Sequence, residues 1–236
     1  MTISLRTINH LDSSMTSKTI TRAFWGSNCE PNFSCPFERR IGENPNGDGA
    51  KWICDPHRIR RIAAERKEKN PDKPGCLIYS VGSNGQFGFE VAVQKFLGPD
   101  VCEIHIFDFG DYASWAPKDM NIHYHQWGLV DHKTAIGIDK QKPGQRLHSL
   151  QQTVQMLGHE DYPAIDIFKI DCEDCEWYTF KDWFAPNIPN MTQILVEVHQ
   201  SPTKHVPPFF NTIEDEGYVI FHKEPNIQFS MGNCIE

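Results

Sequence analysis

A doubly wound, mostly parallel α/β sheet is the fold this sequence predicts, and three observations predict it. From Cys76 onward, short apolar runs alternate with amphipathic segments, the pattern of βαβ units. Glycines crowd the turn after the first apolar run, in "VGSNGQFGFE", directly before a helical pattern. An acid, Asp108, ends the second run, where a βαβ unit that holds a ribose carries a carboxylate.

The elements follow in order. Residues 1–55 read as an irregular N-terminal cap, rich in Ser, Thr, Asn, Pro and Gly, with turn formers in close succession in "GENPNGDGAKW". That composition predicts loop rather than core. Residues 56–236 read as one α/β domain. "HRIRRIAAERKEK", His57 to Lys69, interleaves Glu65 and Glu68 with basic residues and predicts a helix with a solvated charged face, broken by "NPDKPG". "CLIYSV" predicts a buried strand; Phe89, Val93, Phe96 and Leu97 then fall on one helical face that stops at Gly98 and Pro99. "CEIHIFDF" and "NIHYHQWGLV" predict strands two and three. Leu147, Leu150, Val154 and Leu157 share a helix face ending at Gly158. "IDIFKID" predicts strand four, "DCEWYTFKDWF" a short helix and "QILVEVH" strand five. A helix over "PPFFNTIEDEGY" and a sixth strand over "YVIFHKE" complete the alternation.

Bulk properties exclude several classes of function. The 236 residues carry a formal net charge of −8 with a pI near 5.7, and no cluster of five or more Lys/Arg stands ready to neutralise phosphates, so nucleic acid is not the expected partner. No apolar run approaches the ~18 residues that span a bilayer. The opening "MTISLRTINHLDSS" lacks the apolar core of a signal peptide, which makes the cytoplasm the default compartment and leaves the secretory lumen open if the chain continues upstream. Only in that lumen would the sequons at Asn32 and Asn190 matter. Cys76, Cys102 and Cys172 fall in or beside apolar runs and read as buried free thiols, whereas the state of Cys29, Cys35 and Cys54 stays open.

The loops after the strands are where a ligand would sit, because open α/β sheets bind outside the carboxyl ends of their strands. Gly82, Gly85 and Gly88 would let backbone approach a ligand, and Asp108 would hold a ribose diol. Since G-x-G-x-x-G is absent, a smaller nucleoside ligand fits better than a dinucleotide.

Five segments in fixed order, "IYSVGSNGQFGFE", "IHIFDF", "HQWGLVDHKT", "IDIFKIDCEDCEWYTF" and "ILVEVH", make the chain resemble a known group. They are similar to the methyltransferase-like proteins related to methyltransferase-like protein 24 and, more distantly, to FkbM-type class I methyltransferases. The resemblance runs from about Asp48 to the end and implies a seven-stranded Rossmann-like sheet with S-adenosylmethionine as methyl donor. By position it implies that Val81, Gly82, Ser83, Asn84 and Gly85 pass the methionine part of the cofactor. It likewise implies that Asp108 holds the ribose and that Gln126 and Trp127 lie near the adenine. Asp171 to Glu173 match the "K-I-D-x-E-G-x-E" element beside the sulfonium and the acceptor. Asp174 stands where that element has Gly, and Asp is one of the few residues that tolerates positive φ.

Methyl transfer to an oxygen needs alignment and a base, for which the candidates are Asp171, His199 and Glu173. Glu173 and Glu176 also read as solvated carboxylates at a helix N-terminus. The remaining histidines show no E-x-x-H or H-x-x-H pairing, so no metal is expected. Cys172 and Cys175 have no second ligand pair and no basic neighbour, so their C-x-x-C spacing reads as incidental. The expected partner is a small-molecule or glycan methyl acceptor. Rival readings are a catalytically inactive nucleoside-binding or protein-interaction fold, suggested by Asp174, and a nucleotide-dependent oxidoreductase. Only "NIQFSMGNCIE" follows the sixth run, so a seventh strand would begin near Cys234 and be cut short.

Overall fold

The computed structural model describes residues 24–141, 146–199 and 204–224. The expected final strand near Cys234 lies outside the described residues. In chain order the first elements are an antiparallel hairpin of β1 (Arg39–Ile41) and β2 (Lys51–Ile53), then α1 (Pro56–Lys69). Next come β3 (Cys76–Val81), α2 (Gly88–Leu97), β4 (Cys102–Phe107) and β5 (Ile122–His125). β6 (Gly128–Leu129), α3 (His132–Gln141), β7 (Leu147–His148), α4 (Leu150–Leu157) and β8 (Ile167–Ile170) follow. The described chain closes with α5 (Glu176–Thr179), a 3₁₀ turn over Phe180–Asp182, β9 (Ile194–Val196) and α6 (Val206–Asp215).

Five strands form one parallel sheet in the order β5-β4-β3-β8-β9, as the alternation of the sequence requires. β3 and β8 are fully buried, which explains their unbroken apolar runs: helices cover both faces of the sheet. Leu77, Tyr79, Val81, Phe168 and Ile170 pack into one core, while Ile78, Ile104, Ile106, Ile167 and Leu195 pack into the other. Strand order reverses between β3 and β8, so the switch point opens at their carboxyl ends.

Local chemistry sets the helix boundaries. The Asp55 carboxylate accepts from Arg58 N–H and Pro56 occupies the first turn, so α1 starts there. Ser149 and Gln152 form a capping box, which starts α4 at Leu150; Leu147, expected on the helix face, instead pairs in β7 with Gly128. The third predicted strand is accordingly split at Gln126 and Trp127, its second half becoming β6.

Three further expectations are corrected. The segment before residue 55 is not loop alone, since Trp25, Ile41, Ala50 and Ile53 are buried and β1 and β2 pair. Tyr218–Glu224 forms no strand. Ile220 bonds through its backbone to Asn32 and Phe33, and Lys223 Nζ donates to the carbonyls of Trp25 and Asn28, so this stretch is held by the N-terminal segment rather than by the sheet. Cys76 and Cys102 are not free thiols, because the β3–β4 register places them opposite one another and they form a disulfide. Cys35–Cys54 and Cys172–Cys175 are also disulfides, and Cys29 is the free cysteine among the described residues.

Candidate active site

A cavity of about 1070 Å³ opens at the carboxyl ends of β3, β4 and β8. Its floor is backbone. At Gly82, with φ of 78°, a Cβ would stand 1.6 Å from the Asp171 carbonyl oxygen, so only glycine lets the turns after β3 and β8 meet. Val81, Gly82, Ser83 and Asn84 line the cavity, whereas a Cβ at Gly85 would face Tyr112 and Trp115 instead.

Asp108 ends β4 beside this turn. Its Oδ2 accepts from Ser83 N–H and Asn84 N–H, each at 2.7 Å, and from the Ser83 hydroxyl at 3.2 Å; Oδ1 accepts from Gly110 N–H at 2.8 Å. The carboxylate thus organises the glycine turn and keeps spare acceptor capacity on Oδ1. Gln126 and Trp127 do not line the cavity. The Trp127 ring packs against Phe107, His125 and His148, and the neighbouring Gly128 and Leu129 reach the cavity wall instead.

Across the turn lies a network of charges. Asp171, at the end of β8, has Lys51 Nζ at 3.5 Å, Lys169 Nζ at 3.9 Å and His199 Nε2 at 3.5 Å. Burial acts to raise its pKa, but Lys169, Lys51 and His199 outweigh it and hold the carboxyl below its ordinary value. Lys169 also donates to the Gly82 carbonyl, joining β8 to the glycine turn. His199, three residues beyond β9, receives its orientation from Glu176: the Glu176 carboxylate accepts from His199 N–H at 2.9 Å and lies 3.0 Å from Nδ1. Burial would lower the His199 pKa, yet the bond and charge of Glu176, with Asp171 and Glu197, raise it to about 9. At neutral pH the ring is an imidazolium.

Two participants escape sequence reading. Lys51, 1 % exposed, comes from β2 and lies 2.8 Å from Glu197, yet its stretch of sequence declares no ligand chemistry. Glu176, expected as a solvated helix-start carboxylate, is 0 % exposed and carries His199. Glu173, by contrast, keeps an exposed side chain, 3.8 Å from His199 Nε2. The signal that could have found Glu176 is its place one turn beyond Asp171, on the first turn of a short helix whose neighbours are aromatic.

Asp174 has φ of 81° and Glu173 φ of 54°, so the turn keeps the left-handed backbone a glycine would supply. Cys172 and Cys175 bracket those two residues, and their disulfide, with Cα atoms 5.4 Å apart, closes the turn. The C-x-x-C spacing is therefore not incidental: two successive left-handed residues bring the sulfurs together.

A doubly wound parallel sheet with its cavity at the switch point is the architecture of a Rossmann-like α/β protein. The chain belongs to the methyltransferase domain family, whose model matches residues 4–236 and so spans both the hairpin that supplies Lys51 and the sheet. No curated protein matches the chain.

Proposed function

We propose that the protein is an S-adenosylmethionine-dependent methyltransferase that methylates an oxygen of a small molecule or glycan. The observation that carries this reading is the juxtaposition of the Gly82 turn with Asp171 and His199 across one cavity. The family supports the reaction class.

The residues fit the cofactor. The cavity exceeds the roughly 300–1000 Å³ of most small-molecule sites, leaving room for a nucleoside and an acceptor together. Phe107, Phe109 and Leu129 offer an apolar wall for a purine, and Asp171 and Glu173 present carboxylates to a cation. Asp108 Oδ1 would accept from the ribose, and the Val81–Asn84 turn would hold the amino-acid part. When bound, S-adenosylmethionine supplies an electrophilic methyl group on a sulfonium.

His199 is the base in this reading, aided by Asp171. Glu176 fixes Nδ1–H, which directs Nε2 toward Asp171 and the cavity. Nε2 of the neutral ring would take the proton of an acceptor hydroxyl bound there, freeing its oxygen to meet a sulfonium methyl in line, the C–S bond breaking as the C–O bond forms. The resulting imidazolium is stabilised by Glu176, Asp171 and Glu197. Inactivity was suggested by Asp174, but the turn it occupies retains its left-handed backbone.

Thermal shift with S-adenosylhomocysteine, S-adenosylmethionine, NADH and NADPH tests the cofactor. Stabilisation by the two sulfur nucleotides alone is expected, and none from either would remove this reading. In a screen of hydroxylated acceptors with labelled methyl donor, His199→Gln should keep cofactor binding and lose transfer by about 10²–10⁴-fold.

A further inference from the structure

A second cluster of ligand-type side chains lies on the same sheet, outside the cavity. Glu103 and His105 stand two residues apart on one face of β4, and His159 follows Gly158 at the end of α4. One nitrogen of each imidazole and one oxygen of Glu103 fall within 4.8 Å of one another. None of the three lines the cavity described above.

We propose that Glu103, His105 and His159 form a binding site for a divalent transition-metal ion, with zinc the best match to two imidazoles and one carboxylate. The separation of His105 Nε2 from Glu103 Oε1 is 3.0 Å. Ligand atoms at about 2.0–2.1 Å from a tetrahedral ion stand about 3.3 Å apart, close to that spacing. His105 Nε2 is buried against that carboxylate oxygen, and the residue is 4 % exposed. A buried ring nitrogen this close to a carboxylate oxygen needs either a shared proton or a cation between them.

Each ligand has a partner that fixes its outward atom. His105 Nδ1 lies 2.9 Å from His125 Nε2, and His159 Nδ1 lies 2.7 Å from the Tyr79 hydroxyl. With Nδ1–H donating to these groups, Nε2 of both rings would be the lone-pair nitrogen, the arrangement that orients histidine ligands in metal sites. Tyr162 donates its hydroxyl to the other Glu103 oxygen at 3.1 Å.

His123, half-exposed, lies 3.6 Å from Glu103 and is bonded to Asn121. E-x-x-H spacing is missing because the ligands come from two separate elements.

The test uses the whole chain, stripped with a chelator and titrated with Zn²⁺ by calorimetry. One equivalent is expected. His159→Asn and Glu103→Gln should each weaken binding at least about tenfold, since even outer partners of metal ligands are worth 10–100-fold. His199→Asn should bind as the parent does. Imidazole ¹⁵N spectra of the unaltered protein supply a readout that needs no variant: the Nε2 signals of His105 and His159 should move on adding Zn²⁺. Unmoved signals, binding far below one equivalent, or loss in His199→Asn with retention in His159→Asn would each overturn the site.

Discussion

Lys51 Nζ lies 2.8 Å from Glu197 Oε2, and both residues are almost wholly buried. The contact joins β2 of the N-terminal hairpin to the residue after β9, 146 positions away. One end of the chain thereby completes the charge balance of a site built at the other.

That pair makes Lys51→Met a costly change. Removing one partner leaves the Glu197 carboxylate buried without its closest cation, which destabilises a protein by about 3–5 kcal/mol. Urea denaturation of Lys51→Met at neutral pH should show that loss, and Lys51→Met combined with Glu197→Gln should recover part of it. A loss under about 1 kcal/mol in the single variant would show that His199 already neutralises Glu197.

Gly82→Ala should damage fold and site together. Its new Cβ meets the Asp171 carbonyl at a distance no relaxation of one side chain can relieve, and its φ is left-handed. A loss of about 2–4 kcal/mol is expected, with weaker cofactor binding. Wild-type-like melting of Gly82→Ala would contradict the close approach of the two turns.

His199 makes stability and turnover respond to pH in opposite senses. Its pKa in the folded chain is about 9, above the ordinary histidine value of about 6.5. The raised value contributes stability that is fully present below about pH 6.5 and is lost as pH rises through 9, on the order of 3 kcal/mol in all. His199→Gln should flatten that part of the stability profile. Transfer that uses the neutral ring should instead rise with pH up to about 9, read as kcat/KM across the same range. A rate that falls from pH 7 to 9 while the protein stays folded would exclude His199 as the base.

Trp127→Phe separates the expected adenine contact from the observed geometry. Trp127 packs on Phe107, His125 and His148, and its buried Nε1 has no hydrogen-bond partner among the described residues. Replacement by phenylalanine strands no polar group, so cofactor affinity should stay within about twofold. A tenfold loss in calorimetry would return Trp127 to the binding site.

Much of the fold was legible because parallel strands buried on both faces leave unbroken apolar runs, as in "CLIYSV" and "IDIFKID". Asp108, Asp171 and His199 were legible as site candidates because they follow such runs, where the sheet opens. The hydrogen bonds of Asp108 to the glycine turn were not, since they depend on the angle at which two loops meet. The stretch Tyr218–Glu224 opens on an apolar run, Tyr218 to Phe221, like a strand, but it is held by contacts with Asn32 and Trp25 instead.

By itself the sequence determined the alternation of the central strands and helices and the carboxyl-end loops, because those are matters of local periodicity. Only the tertiary structure decided which charges meet. Lys51, Asp171, Glu176, Glu197 and His199 come from the hairpin, two strand ends and a short helix, and their pairing follows from packing that no local spacing records. The same holds for Cys76 and Cys102, which read as separate apolar positions until the β3–β4 register set them side by side.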